Sequence, residues 1–192
     1  MREIVEKALE ESLTVKEGFI RQNIPVLIEV AERIAGAFVQ DRKLLICGNG
    51  GSAADAQHIA AEFVNRYELE RPPLPALALT TDASVMTSIG NDYAFDDIFS
   101  KQIKALGLKG DILLAISTSG NSENVISAVQ VAKAQEIFTV GLIGGDGGKL
   151  ARLVDAALVV RSKVTARIQE SHILAGHILC QLVDYILFQR PA

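Results

Sequence analysis

The chain has 192 residues, 49% of them hydrophobic, and a formal net charge of −4. That length suits one domain with a substantial core. A charge of this size spread over both signs leaves no basic stripe for a nucleic-acid surface, and no run approaches the ~18 uncharged apolar residues that would span a bilayer. The mean hydropathy of +0.26 is high for a monomer, and the surplus apolar surface is expected to lie between subunits.

The first segment, MREIVEKALEESLTVKE, mixes charges of both signs and is no signal peptide. Cys47 and Cys180 imply no disulfide framework, so the expected compartment is the reducing cytoplasm. Residues 1–40 read as two helices. On the second, Ile20, Ile24, Leu27, Ile28, Ala31 and Ile34 recur at helical spacing. From Lys43 onward, short β-rich runs alternate with helices. The strands are expected at Leu44–Cys47, Ala76–Leu79, Ile112–Ile116, Phe138–Ile143 and Ala156–Val160. Each is nearly continuous in apolar residues, as parallel strands covered on both faces are. Helices are expected to begin near Ser52, Ser84, Ser122 and Gly148, and a long last helix to run from Thr165 to Phe188. This order gives an α/β fold, a three-layer doubly wound sheet of five parallel strands with N-terminal helices and a long C-terminal one. Arg71-Pro-Pro-Leu-Pro75 reads as a loop before the second strand. No linker divides the chain, so residues 1–192 read as a single domain.

Two turns carry chemistry. Gly48-Asn-Gly-Gly-Ser52 closes the first strand and opens a helix, where glycines let a ligand approach and free N–H groups attract anions. It also fits G-x-G-x-x-A, but the acidic residue a dinucleotide site needs some twenty residues later is missing, Asp82 coming too late. A P-loop lysine is absent as well. Ser117-Thr-Ser-Gly-Asn-Ser122 closes the third strand. Four hydroxyls and a helix N-terminus there form an oxyanion cradle that uses no positive charge. Helix capping accounts for Ser122 alone but not for the three hydroxyls before it. Gly144-Gly-Asp-Gly-Gly148 reads as a plain turn.

Further along the second helix, His58 and Glu62 are spaced i, i+4 and share a face, which Arg66 continues. On so apolar a helix such a stripe is a solvated edge or a site, and patterning alone leaves both open. The last helix carries Gln169, His172 and His177. For His172 a structural role, as a hydrogen-bonded core or surface histidine, is the simpler reading.

Taken together, CGNGGSAADAQHIAAEF, IGNDYAFDDIFS, LLAISTSGNS and ARIQESHILAGH resemble the sugar isomerase (SIS) domain family, and within it the bacterial phosphoheptose isomerases, over nearly all of the chain. The resemblance implies conversion of sedoheptulose 7-phosphate to D-glycero-D-manno-heptose 7-phosphate through an enediol, the first step toward the ADP-heptose precursor of lipopolysaccharide. It implies Glu62 as base and His177 as acid/base, with one zinc per subunit held by His58, Glu62, Gln169 and His177. Substrate contacts carried over are Asn49, Gly50, Gly51, Arg66, Asn91, Asp92, Ser117, Thr118, Ser119, Ser122 and Gln169. A homotetramer built through the terminal helices is implied too. Gln169 and His177 are eight residues apart, about 12 Å of helical rise, so they converge only if Gln169 sits at the helix entrance or if subunits share the site. Where the family has Asp before the Arg-Ile-Gln-Glu segment, this chain has Ala166. Non-catalytic SIS proteins that bind the replication initiator resemble AQHIAAEFVNRYELERPPLPA as well. The resemblance implies that they lack the equivalents of Glu62 and His177, which favours the isomerase.

Overall fold

The computed structural model describes residues 1–190. Five strands, β1 (Leu44–Gly48), β2 (Ala76–Ala78), β3 (Ile112–Ser117), β4 (Phe138–Gly144) and β5 (Ala156–Val160), form one sheet in the order β2-β1-β3-β4-β5. Every pairing is parallel. All residues of β1 and β3 are buried, because both sheet faces are covered. Alternate side chains go to opposite faces. Leu44 and Ile46 join the core under α1 (Arg2–Val39), α2 (Gly51–Val64) and α6 (Thr165–Asp184), whereas Leu45 and Cys47 join the core beneath α4 (Ser100–Leu106) and α5 (Glu123–Ala134). The three layers and the five strands expected from the sequence are present.

Three helical expectations change. Residues 2–39 form one helix, not two, although Pro25 lies inside it. Proline removes one ladder bond, but the buried stripe Phe19, Asn23, Leu27, Val30, Ala31 and Ile34 passes through that point without interruption. Packing of this stripe against the body outweighs the local break. No α-helix begins near Gly148. Between β4 and β5 there is only a 3-10 turn at Leu150–Arg152, since Gly145, Gly147 and Gly148 all take positive φ and too few residues remain for a helix. After α3 (Ala83–Asp92), a further short helix, α4, precedes β3; it lay unrecognised between two strand signals.

By length and composition α6 with its continuation to Gln189 could cross a membrane. Here it packs as a core helix, burying Ile168, Ala175, Leu179, Cys180 and Val183. Both cysteines are buried and free.

His172, on the same helix, is wholly buried, and neither ring nitrogen has a hydrogen-bond partner. Burial pushes its pKa down to about 4, with the nearby Ile143 backbone opposing. Of the core and surface positions left open by the sequence, the structure gives the core, without the hydrogen bond expected there. Above about pH 6.5 the ring is neutral in both states. As pH falls toward 4, the unfolded chain takes up a proton that the folded chain refuses, so stability declines across that window by up to about 3 kcal/mol. Urea unfolding between pH 7 and 4.5 should show this acid limb, and His172→Leu should flatten it.

Candidate functional site

Because β2 lies outside β1 while β3 lies on its other side, strand order reverses between β1 and β3. In open parallel sheets that is where ligands bind, at the carboxyl ends. Gly48 pairs with Ile116, so the turns after β1 and β3 emerge side by side. The first turn relies on Gly50, whose φ of 56° suits glycine best. Asn49 and Asn124 then join the two turns through reciprocal amide bonds, each 2.9 Å. Asn124 is buried, and sequence reading passed over it as an ordinary first-turn residue of α5.

The second turn is organised by its own hydroxyls. Ser117 Oγ lies 3.1 Å from Ser122 Oγ and accepts from the Gly120 N–H at 3.1 Å. Ser119 Oγ accepts from the Asn121 N–H at 3.1 Å. Ser122 stands at the N-cap of α5 without capping it through its side chain. Its hydroxyl meets Ser117 Oγ instead, beside the half-buried Thr118 and exposed Ser119. Two helix N-termini, those of α2 and α5, converge here, and such termini favour anions.

About 10 Å along α2 from Gly51, His58 and Glu62 meet His177 of α6. The His58 and His177 Nε2 atoms are 2.9 Å apart, and His58 Nε2 lies 3.5 Å from Glu62 Oε1. One ligand atom from each of the three residues lies within 4.8 Å of the others, a set that could hold a metal ion. Two imidazoles and one carboxylate are the donor set of three-ligand zinc sites, so the residues fit that ion. The helices can approach this closely because of Gly176, where a Cβ would stand 2.7 Å from Ile59 Cδ1. Tyr67 lies against the His177 ring, centroid to centroid 5.5 Å. Asp55, one turn before His58, has a buried Oδ2 without a partner. Burial pushes its pKa up to about 6, with His58 opposing. Neither Tyr67 nor Asp55 was singled out by sequence; only its i, i+3 spacing to His58 could have pointed to Asp55.

Other expected residues lie elsewhere. Gln169 is already within α6, and its amide lies against Gly51, so close that a Cβ there would sit 2.2 Å from Nε2. It faces the first turn, while His177 is about 12 Å further along the same helix. One chain therefore brings three of the four expected ligands together. Arg66 does not continue the His58–Glu62 face, because α2 ends at Val64; it pairs with Glu70 at 3.5 Å, at the opposite end of α2 from the cradle. Asn91 and Asp92 close α3, exposed and bonded to each other at 2.8 Å.

The SIS domain family model matches residues 9–144. A phosphoheptose isomerase of Thermodesulfovibrio yellowstonii is 56% identical over 98% of this chain and 94% of its own length. One from Nitratidesulfovibrio vulgaris is 52% identical over 98% of this chain and 91% of its own. Among solved structures, the phosphoheptose isomerase of Neisseria gonorrhoeae superposes with a TM-score of 0.90 at 46% identity, covering 95% of this chain and 98% of that one.

Zinc titrated into metal-free protein should bind once per chain. His58→Ala or His177→Ala should weaken binding by more than the about 10- to 100-fold that losing a residue behind a ligand costs. Calorimetric titration checks this; unchanged affinity in both variants removes the site.

Proposed function

The chain belongs to the SIS domain family and stands there with the phosphoheptose isomerases, and from this premise we infer that it converts sedoheptulose 7-phosphate to D-glycero-D-manno-heptose 7-phosphate. It is an aldose–ketose isomerase. The observation that carries the reading is a carboxylate and two imidazoles set along α2 from an uncharged anion cradle. A phosphate handle and an enediol-forming end need such a separation. The relatives reported above are all isomerases, and no observation favours an initiator-binding role.

In this reading Ser117, Thr118, Ser119 and Ser122 hold the phosphate together with the N-terminus of α5. Asn49, Gly50 and Gly51 line the sugar, and Gln169, lying over Gly51, touches it from α6. Glu62 takes a proton from C1 and returns it to C2, while His177 exchanges protons with the oxygens on those carbons. His58, Glu62 and His177 hold zinc, which when bound supplies Lewis-acid polarisation of those two oxygens. Gln169 as fourth ligand, Arg66 at the phosphate, and Asn91 and Asp92 at the sugar are contributions from other copies of the chain. Two buried thiols suit the cytoplasm.

Incubation with five-, six- and seven-carbon ketose phosphates tests the activity, with aldose formed from the seven-carbon compound. Glu62→Gln preserves volume and should lower kcat by about 10²- to 10⁴-fold. Wild-type turnover in that variant would remove Glu62 from the chemistry.

The assembly we infer is a homotetramer. Ile4, Val5, Leu9 and Leu13 are exposed along the first turns of α1, and Tyr93 and Phe95 are exposed beyond α3, more than scattered surface apolar residues account for. Light scattering should give about 82 kDa, four times the 20.6 kDa chain; a stable monomer would contradict it.

A further inference from the structure

Arg71, read from sequence only as part of a proline-rich loop, has a side chain 1% exposed. Its guanidinium is divided between two helices. Nε donates to Oδ1 of Asp184, the last residue of α6, at 2.9 Å. The terminal nitrogens turn to α2: Nη2 donates to the carbonyl of Glu62 at 3.0 Å and Nη1 to that of Phe63 at 2.7 Å. Longer bonds reach the carbonyls of Pro72 at 3.2 Å and Asn65 at 3.4 Å.

The carbonyls of Glu62 and Phe63 are among the last four of α2, which have no partner within the helix. No basic residue stands in that helix's own last turn. Arg71 therefore brings in from the loop both the donors and the positive charge that a helix C-terminus favours. One of the carbonyls it grips belongs to Glu62 itself. Its other partner ends the helix that carries His177.

We propose that Arg71 is a positioning residue for the isomerisation, fixing the backbone of Glu62 against α6 and so setting Glu62 relative to His177. This rests on the proton-transfer roles given above to those two residues. The planar five-donor fork explains why arginine stands here: the three donors of a lysine ammonium diverge from one nitrogen and do not span a carboxylate and two carbonyls of another helix together.

A plain buried ion pair would look similar, and a double substitution separates the two. Replacing both members of a buried pair by apolar residues is often neutral for stability. Arg71→Met with Asp184→Leu should therefore stay folded, losing only the stability that the carbonyls of Glu62 and Phe63 forfeit with their donors. If the guanidinium positions Glu62, kcat should still fall, by about 10- to 100-fold as displaced catalytic groups do, with KM within about twofold. Arg71→Lys, which keeps the charge beside Asp184, should show the same loss of kcat and decides the matter if the double variant does not fold. A folded variant with wild-type kcat, or a loss confined to KM, overturns the proposal. Should the wild type convert no ketose phosphate, the proposed function fails, and zinc affinity then judges the clamp. Affinity about tenfold weaker in the variant supports it, and equal affinity overturns it.

Discussion

The parallel pairing of β1 with β3, with β2 sent to the outer edge, is the constraint on which the site depends. It places Gly48 beside Ile116, so two loops distant in sequence leave the sheet at one level. Each loop runs into a helix, and the two N-termini point their free N–H groups into a shared cleft. The Asn49–Asn124 amide pair then ties one loop to the other. If β1 and β3 were not neighbours, the same two turns would not share a cleft. Because the attraction is local, a chain with net charge −4 has no need of a basic surface.

The second constraint is the contact between α2 and α6. α2 serves both regions, with its first turn in the cradle and its side carrying Asp55, His58 and Glu62. Its distance from α6 is set by Gly176 against Ile59, and the very next residue is His177. A larger side chain at 176 would push the helices apart and separate the two imidazoles. The His58–Glu62–His177 cluster is therefore held by packing between helices, while the two turns are held by the sheet. The two depend on different parts of the core: a volume change at the α2–α6 contact acts on the cluster first.

Much of this was legible in the sequence. Short, nearly continuous apolar runs bounded by turn residues marked all five strands, most fully for β1 and β3, which are buried on both faces, and less so for the partly exposed edge strand β2. The two turns were legible because three hydroxyls in a row before a helix, and a glycine run opening another, exceed what turn-making and capping alone require. His58 and Glu62 were legible as a pair from their spacing, and as a site only through family resemblance. What stayed hidden depends on packing at a distance. The passage of α1 through Pro25 is decided by a buried stripe that local propensity does not see. Asn124 and Arg71 look like surface residues until the fold buries them. The extension of the Glu62 face to Arg66 failed because helix periodicity does not reveal where a helix ends, and α2 ends two residues too early.

The placement of Gln169 bears on why such a chain would assemble. A straight helix cannot bring positions 169 and 177 to one point, and α6 runs without interruption from Thr165 to Asp184. Arg66 lies about 20 Å from the cradle, the length of α2, and Asn91 and Asp92 stand exposed at the end of a helix with no buried residue. Each of these four is a polar group from the family pattern that a single chain leaves away from the place the pattern assigns it, Gln169 lying at Gly51 and not at the His58–Glu62–His177 cluster. Near Arg66, Asn91 and Asp92 in sequence lie exposed apolar side chains, Val64 at the end of α2 and Tyr93 and Phe95 after α3. Apolar surface draws copies together, and the polar residues beside it are the ones a neighbouring copy would deliver. In the homotetramer proposed above, assembly and catalysis would be one problem, because the apolar surface that joined the copies would also bring in the residues that complete the site.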